Sequence, residues 1–416
     1  MIAGQHLPKQ ALQEHVTGPL QGVRVVDLSR LVAGNMLTLQ LGDFGADVIK
    51  VESAGAGDTL REWREPHADH PDGYDGWWRT YARNKRSLAL NLRDGQAMHW
   101  LKRLIATAQV LVESFKPGTL ENMGLSPEQL HADNPGLVVV RLSGWGQTGP
   151  YRELPGFGSL IEGFSGYAHK HRNDGEAPQL PNMALADMVT GLTGAFATLT
   201  ALREVEVRGG QGQVIDLSLL EPMLAIMGPD VSNFAATGID PEPGQKIASP
   251  RGSYQCKDGL WVSMSGSTDT MAKRVFEAIG QLALFEDPRF SSNAARLDND
   301  AELDAMVAQF MLQRTQDECL KHFRQHGVTV GPIYAPPQLI QDAHVVQRGV
   351  YVQCETSDGS LATVMHQVTP RLQGTPGSIR RAAPLRGQHT EELLSELGAS
   401  AAECQSLKTQ GAIECR

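Results

Sequence analysis

A strand–helix–strand pattern near the start of the chain limits the folds that the sequence can adopt. Residues 23–27 and 47–52 each hold three apolar side chains in a short run typical of a strand, and residues 34–44 between them carry apolar side chains at helical spacing. Two strands joined by such a helix pair in parallel, and helices then cover both faces of the sheet. The sequence therefore predicts an α/β fold with a doubly wound parallel sheet.

The loop after the first of these strands lacks the glycines of a dinucleotide site. Such a site needs three glycines for the turn, the approach of the pyrophosphate and the helix packing. Residues 28–34 hold only Gly34, and the chain has no P-loop pattern. The sequence thus argues against NAD or FAD, and we expect no tightly bound cofactor.

Further apolar segments predict more strands of the same sheet, at 88–92, 110–113, 138–142 and 214–217. Residues 55–83, rich in Asp, Gly, Trp and His, are expected to form a long loop. Prolines such as Pro241 and Pro243 mark a linker, after which a hairpin at 254–264 and three helices are predicted. Strands near 350–354 and 361–365 and a helix at 391–397 follow.

These patterns predict two domains. The N-terminal part of a large Rossmann-like domain comprises 18–228, a small α+β domain with its linkers comprises 229–335, and 336–416 completes the large domain.

Charge and cysteine content narrow the function classes. The 416 residues have a net charge of −10 with no basic block, so neither a nucleic acid nor a membrane surface is an expected partner. The five cysteines have no close pair, which indicates reduced thiols in a cytoplasmic protein and no metal site. The N-terminus lacks a signal peptide, and no run reaches the length of a membrane span.

An acidic residue precedes the most regular amphipathic segment. Residues 188–203 predict a helix, and Asp187 stands just before it. A carboxylate there meets the free N–H groups and the positive end of the helix dipole. Local sequence alone favours an ordinary N-cap, although Thr190 stands where a capping box needs Glu or Gln.

Loops after parallel strands gather at one edge of the sheet, where ligands bind. The positively charged side chains predicted at this edge are Arg30, Lys85, Arg86, Arg93 and Lys116. Each of them either binds a phosphate group or is simply exposed to solvent. Phe115 is either a platform for a purine ring or part of the core. Gly144, Gly146 and Gly149 suit either an oxyanion site or a plain turn.

The order of several motifs is more specific than any one of them. They are DLSRLVAG (27–34), LGDFGADVIKVE (41–52), NKRSL (84–88), VESFKPG (112–118), LSGWGQTGP (142–150), GQVIDLSLLE (212–221), DPRF (287–290) and APLRGQHT (383–390). With these motifs the chain resembles the family III coenzyme A transferases (CaiB/BaiF family) from about Gly18 to Gly398. The resemblance implies transfer of coenzyme A (CoA) from an acyl-CoA to a free carboxylic acid.

The resemblance also implies roles for individual residues. Asp187 corresponds to the catalytic aspartate, which overrides the cap interpretation. The CoA-binding rim corresponds to Val32, Ala33, Leu90, Arg93, Ser114, Phe115, Asn122 and Met123. Two positions depart from the family pattern: Asn122 stands where some members carry a phosphate-binding arginine, and Ser114 stands where asparagine is common. Other cations are therefore needed for the CoA phosphates, and the candidates are Arg86, Arg93 and Lys116.

The mechanism and assembly are likewise implied by the resemblance. Asp187 attacks the thioester, a mixed anhydride and then an aspartyl-CoA thioester form, and the acceptor acid takes the CoA. The family fold is an interlocked homodimer in which each chain is a ring threaded through its partner. Acyl-CoA and a small organic acid are the expected ligands, with a dicarboxylic donor such as succinyl-CoA.

Alternative functions depend on the residues around the acyl site. Racemases of the same fold pair the aspartate with a histidine, which would fall at Phe157, and phenylalanine cannot exchange a proton. Gly158 replaces a common acidic residue and Glu162 a common glutamine, and both are expected to line the acyl pocket. Oxalate-using members have successive glycines where the small domain offers only Gly244 and Gly252. A non-catalytic CoA-binding protein is the alternative from another class.

Overall fold

The computed structural model describes residues 4–12, 18–67, 70–172, 175–240, 244, 246–356 and 362–416. The chain divides into two compact units. One comprises Met1–Arg172, Glu176–Ile239 and Val346–Arg416, and the other comprises Asn173–Gly175 and Asp240–Val345. The domain division at residues 228 and 335 stays a proposal, and Pro241, Pro243 and Leu361 lie outside the described residues.

The strands of the described residues form four sheets. In chain order they are β1 (Lys9–Gln10), β2 (Arg24–Asp27), β3 (Asp47–Ser53), β4 (Glu65–His67), β5 (His70–Tyr74), β6 (Lys85–Leu90), β7 (Val110–Glu113), β8 (Val138–Ser143), β9 (Val214–Ser218), β10 (Arg251–Gln255), β11 (Trp261–Ser265), β12 (Thr329–Ile333), β13 (Tyr351–Cys354), β14 (Thr363–His366) and β15 (Ile413–Glu414).

Helices connect most of these strands. The α-helices of the described residues are α1 (Leu31–Asp43), α2 (Gly76–Tyr81), α3 (Gly95–Ala106), α4 (Thr119–Asn122), α5 (Pro127–Asp133), α6 (Gly158–Phe164), α7 (Tyr167–Lys170), α8 (Leu185–Arg208), α9 (Leu220–Ile226), α10 (Asp230–Thr237), α11 (Asp269–Ala278), α12 (Asn293–Asp298), α13 (Asp300–Leu312), α14 (Gln316–Gln325), α15 (Pro336–Leu339), α16 (Ala343–Gln347), α17 (Thr390–Glu396) and α18 (Ala401–Thr409).

The large unit is built on a seven-stranded sheet in the order β15-β6-β3-β2-β7-β8-β9. The strands from β6 to β9 pair in parallel, and β15 adds to the edge in antiparallel orientation. The predicted α/β fold is therefore confirmed, with a mixed sheet. The carboxyl ends of six strands point to one edge.

Alternating strand residues serve two cores. Val25 and Val48 pack into one cluster, together with residues of α1 and α8. Their chain neighbours Val26 and Ile49 pack into another, together with residues of α3, α17 and α18. Because successive side chains point to opposite faces of a strand, helices cover both sides of the sheet.

The small unit holds an antiparallel sheet in the order β10-β11-β12. The predicted hairpin is present, since Tyr254 of β10 pairs with Val262 of β11. Helices α11, α13 and α14 pack on it through a separate apolar cluster that includes Phe276 and Phe323.

Two predictions about the N-terminal region are wrong. Residues 55–83 do not form one long loop, since a 3-10 helix (Thr59–Glu62), the β4–β5 hairpin and α2 lie there. Leu60 and Trp78 anchor this segment because both are buried in one apolar cluster. The strand predicted at 88–92 begins three residues earlier, at Lys85, whose ammonium group is buried against Asn35.

Candidate active site

Asp187 lies in the first turn of α8, as the third residue of that helix. The helix predicted at 188–203 is present, but it begins three residues earlier and extends to Arg208, so Asp187 lies inside it and not just before it. Ala184 occupies the N-cap position, and no side chain caps the helix there. The Asp187 carboxylate is therefore not used as a cap, although the helix dipole still favours its charged form.

The carboxylate of Asp187 lies against Gly158, the first residue of α6. A Cβ atom at Gly158 would stand 2.5 Å from Asp187 Oδ2, closer than non-bonded atoms approach. From α1, the backbone N–H of Ala33 donates a hydrogen bond to the carboxylate. Asp187 thus lies where α1, α6 and α8 meet, and a side chain at position 158 would require its carboxylate to move.

Glycines in α8 bring it close to α1. A Cβ atom at Gly191 would stand 2.6 Å from Met36 Cβ and 2.8 Å from the carbonyl oxygen of Ala33. At Gly194 a Cβ atom would stand 2.5 Å from a methyl group of Leu37. This glycine seam between α1 and α8, formed by Gly191 and Gly194, sets the position of the Ala33 backbone relative to Asp187.

The electrostatic surroundings make Asp187 an unusual carboxylate. Burial raises the pKa of Asp187 from 3.8 to about 6, and the negative charge of Glu162 adds to this rise. The hydrogen bond from the N–H of Ala33 acts in the opposite direction and lowers the pKa. In the described part of the chain, no lysine or arginine contributes to this shift. At neutral pH Asp187 is ionised, poorly solvated and unpaired, which suits a nucleophile.

The glycine-rich loop after β8 uses its own backbone donors. The N–H of Gly146 donates to the Ser143 hydroxyl at 3.0 Å, and the N–H of Gln147 donates to the Asp216 carboxylate at 3.0 Å. Gly146 has a φ of 94°, in the left-handed region that favours glycine. These two N–H groups are engaged, so the contacts favour the turn interpretation over the oxyanion site.

The same loop holds the segment that precedes α6. A Cβ atom at Gly144 would stand 2.4 Å from Gly156 Cα, so the two backbones touch. The indole N–H of Trp145 donates to the carbonyl oxygen of Pro155 at 3.0 Å. The loop therefore fixes residues 155–156, and through them the position of Gly158 beside Asp187.

An exposed aromatic cluster adjoins this segment. The rings of Trp145, Tyr151 and Phe164 contact one another edge to face, with centroids 5.1 to 5.9 Å apart. Phe157, immediately before α6, is 59% exposed. It brings an apolar surface next to Gly158 and no group that can exchange a proton.

The residues of the predicted CoA rim fall into two groups. Val32 and Ala33 are buried at the start of α1, beside Asp187. Leu90, Phe115 and Met123 all contact the core cluster on the other face of the sheet. The rim is thus made of a part next to Asp187 and a part at the ends of β6 and β7.

The loops after β2 and β7 are joined at the same edge. The backbone N–H of Arg30 donates to the Ser114 hydroxyl at 3.1 Å. Arg93 and Lys116 are exposed in the loops that follow β6 and β7, and Asn122 is exposed at the end of α4. The cationic side chains of Arg93 and Lys116 are therefore accessible to an anion.

Arg86 and Lys85 do not meet the prediction of exposed rim cations. Arg86 is 6% exposed, and its guanidinium group donates to the carboxylates of Asp47, Glu392 and Glu396. Lys85 is fully buried. Since both cations are engaged inside the protein, we withdraw them from the phosphate site.

A buried ionic network lies under the strand ends, and few features of the sequence predict it. Lys50 Nζ lies 3.2 Å from Asp27 Oδ1 and 3.0 Å from Asp58 Oδ2. Lys85 Nζ lies 3.5 Å from Asp27 Oδ2. Lys50 between the apolar residues Ile49 and Val51 of β3 is the one local signal, because a lysine is buried only with a partner.

The network also fixes the backbone before α1. Leu31 has a φ of 62°, an uncommon conformation for a residue with a branched side chain. Its N–H donates to Asp58 Oδ1 at 3.0 Å, and its carbonyl oxygen accepts from Asn35 Nδ2 at 2.6 Å. Asp58 therefore helps to place the turn that leads to Ala33.

The comparisons with known proteins agree on one family. The model of CoA-transferase family III matches residues 20–390. The chain is 37% identical over 383 residues to the succinyl-CoA–D-citramalate CoA-transferase of Chloroflexus aurantiacus, covering 91% of this chain and 94% of that protein. It is 30% identical to the human succinyl-CoA:glutarate CoA-transferase, covering 91% and 86%.

A solved structure has the same fold. The CaiB/BaiF family protein from Brucella suis is 30% identical and superposes with a TM-score of 0.80, covering 92% of this chain and all of that one. The resemblance seen in the motifs is thereby confirmed. The protein is an enzyme that belongs to family III of the CoA-transferases.

Proposed function

We propose that Asp187 carries the acyl group and then CoA during transfer from an acyl-CoA to a free carboxylic acid. The observation that supports this is a poorly solvated carboxylate with a pKa of about 6 and no cationic partner in the described part of the chain. A paired carboxylate would be stabilised and less reactive, whereas an unpaired one is a better nucleophile.

The proposed reaction runs through two anhydrides. Asp187 attacks the thioester carbonyl of the donor, and CoA leaves as the thiolate. The thiolate attacks the Asp187 carbonyl of this anhydride, which releases the donor acid and leaves an aspartyl-CoA thioester. The acceptor carboxylate attacks that thioester, and the returning thiolate completes the new acyl-CoA. Water must be excluded, because it would hydrolyse the anhydrides.

We propose a dicarboxylic donor, succinyl-CoA. Three relatives that are 37%, 31% and 30% identical carry names with succinyl-CoA or succinate and a second acid. Their second acids are citramalate and glutarate, so we propose an acceptor of the same class, a small dicarboxylic acid.

For CoA binding we propose the predicted rim without Arg86. The proposed contacts are Val32, Ala33, Leu90, Arg93, Ser114, Phe115, Lys116, Asn122 and Met123. The exposure of Arg93 and Lys116 supports a role with the phosphates. The partly buried Phe115 and Met123 offer apolar surface to the adenine.

We propose that a second copy of the chain covers the exposed apolar face of the large unit, as in the interlocked dimer implied by the family. Helix α8 leaves Leu192, Phe196 and Leu199 between 42% and 71% exposed. By length and composition α8 could also span a membrane, but core helices pass the same test, and 44% of its apolar window is buried. Such a face in an enzyme supports a protein interface.

We also propose a cytoplasmic location. The cysteines of the described residues are free thiols, which supports a reducing compartment.

Trapping of the covalent intermediate tests the proposal. Incubation with succinyl-CoA and hydroxylamine should give a hydroxamate on Asp187, detected by mass spectrometry of the peptide. The Asp187→Asn variant should form none and should lose transfer. An active Asp187→Asn variant would refute the covalent role. Exchange of the α-hydrogen for deuterium without an acceptor acid would instead indicate a racemase.

A further inference from the structure

Glu162 is a buried carboxylate that the proposed reaction does not use. It is 3% exposed and lies on α6 one turn after Gly158. Its Oε1 accepts a hydrogen bond from the backbone N–H of Ala186 at 3.1 Å. Since Ala186 immediately precedes Asp187, α6 brings a second carboxylate beside the first turn of α8.

We propose that Glu162 is a positioning residue that holds the first turn of α8 and keeps a second negative charge beside Asp187. The proposal rests on the proposed function, because it concerns how the same carboxylate reacts. Residues four apart share one face of a helix, so Gly158 and Glu162 act on Asp187 from the same side. Gly158 leaves room for the carboxylate, and Glu162 supplies the hydrogen-bond acceptor and the charge.

The charge has a direct consequence for the first chemical step. In the free enzyme the two anions repel each other, and burial leaves this repulsion poorly screened. When an oxygen of Asp187 bonds to the acyl carbon, the carbon–sulfur bond breaks and the negative charge leaves on the CoA sulfur. Asp187 is then neutral and the repulsion from Glu162 ends. Glu162 therefore favours the acylated enzyme over the free one.

The neighbouring elements supply no counter-charge at this point. Glu162 is the one charged side chain of the described residues that contributes to the pKa of Asp187. The charged groups on the elements packed against α6 and α8 have other partners or face solvent. Asp43, at the far end of α1, pairs with Arg83, and Arg141 of β8 pairs with Glu113 and Glu121. Asp216 of β9 accepts from the N–H of Gln147, Lys170 of α7 pairs with Asp230, and Glu221 of α9 and His169 of α7 are exposed.

Two variants separate the charge from the hydrogen bond. Glu162→Gln keeps an oxygen that accepts the N–H of Ala186 and removes the charge. Glu162→Asp keeps the charge and shortens the side chain. For the full-length protein, kcat/KM with succinyl-CoA is measured from pH 4.5 to 9, together with the release of CoA thiol on mixing enzyme with succinyl-CoA alone. Melting temperatures are measured in parallel.

Removal of the charge should move the acid limb of the kcat/KM profile. Without Glu162⁻ the pKa of Asp187 falls, so the limb in Glu162→Gln shifts to lower pH by about half a unit or more. At pH 8, where Asp187 is ionised in both proteins, the rate of CoA release should fall about three- to tenfold. In Glu162→Asp the limb should stay near that of the wild type.

A purely structural role predicts a different outcome. It would lower kcat equally at every pH, together with the melting temperature, and leave the acid limb in place. If the acid limb of the kcat/KM profile is unshifted in Glu162→Gln, the proposal is overturned. If Glu162→Gln does not fold, the test is Glu162→Asp. An acid limb of that variant in the pH range of an ordinary aspartate would then overturn the proposal. An active Asp187→Asn variant would instead overturn the proposed function itself, so the two failures are distinguishable.

Discussion

The buried charges of β2 and β3 and those of α6 and α8 lie in the same unit but have opposite surroundings. Lys50 lies between Asp27 and Asp58, and each carboxylate accepts further hydrogen bonds. Asp187 and Glu162 lie near each other and receive backbone N–H groups but no cation in the described residues. The carboxylates of both regions are buried, but only those of β2 and the segment after β3 are paired with a cation.

The two surroundings move the acidity of aspartate in opposite directions. Burial alone would raise the pKa of Asp58, but Lys50 and the N–H groups of Leu60 and Leu31 lower it to about 2. Burial raises the pKa of Asp187 to about 6, because no cation opposes it. Paired charges stabilise the fold, and the unpaired one is available for chemistry.

Loss of Lys50 should give the largest effect. Lys50→Met would leave Asp27 with Lys85 alone and Asp58 without a cation, in a place that water does not reach. We expect a destabilisation of about 3–5 kcal/mol, measured by urea unfolding at fixed protein concentration. Lys102→Met, at an exposed position of α3, is the control and should change stability by about 0.5 kcal/mol or less. Equal stability of the two variants would show that the network is dispensable.

A methyl group at Gly158 should cost activity with little change in stability. Gly158→Ala places Cβ 2.5 Å from Asp187 Oδ2, so the carboxylate must move. A misplaced nucleophile of this kind lowers kcat/KM by about 100-fold. Gly163→Ala is the matched control on the same helix, since its Cβ would have no neighbour within 4 Å. A fully active Gly158→Ala variant would contradict the position assigned to Asp187.

Asp58→Asn should destabilise the protein most at neutral pH. The pKa of Asp58 is about 2 in the folded protein and 3.8 ordinarily, so its charged form stabilises the fold above pH 4. That contribution, about 2 kcal/mol, is lost as the pH falls through 2. The gap between wild type and variant should therefore narrow in acid, as followed by unfolding curves between pH 2 and 7. A gap independent of pH would argue against the charge.

Asp187→Asn should have the smallest effect on stability and the opposite sign. The pKa of the Asp187 carboxyl is about 6 in the folded protein and 3.8 ordinarily. Because the folded protein disfavours the charged form, the wild type loses stability as the pH rises from 4 to 6. Removal of the charge should stabilise the protein on the order of 1 kcal/mol above pH 6, discounted for partial exposure, and not below pH 4. Glu206→Gln, on the exposed side of α8, should show no such trend. A less stable Asp187→Asn variant at pH 7 would remove the contrast between the two regions.

The sheet could be predicted from the sequence because its signals are local. The strand Val110–Glu113 has the predicted bounds, since its apolar residues decide them. Asp94 caps α3 by accepting from the N–H groups of Gln96 and Ala97, which lie two and three residues after it. In these places each residue's role depends on neighbours a few positions away.

The site could be predicted only in part because its contacts are distant in sequence. The family motifs predict Asp187 as the catalytic residue, but no local pattern predicts that the acceptor for the N–H of Ala186 comes from Glu162, 24 residues earlier. Arg86 was predicted as a candidate for the CoA phosphates, yet it pairs inside the protein with Glu396, which lies 310 residues further along the chain. No local pattern distinguishes a buried arginine with such a partner from an exposed one.

The glycine seam between α1 and α8 has a consequence for redesign of the enzyme. Gly191 and Gly194 carry no functional group, yet a methyl at Gly191 would meet the backbone carbonyl of Ala33, and a methyl at Gly194 would meet the side chains of Leu37 and Leu217. Libraries that aim at new acids should therefore keep both glycines unchanged. Substrate range can then be altered without disturbing the geometry on which turnover depends.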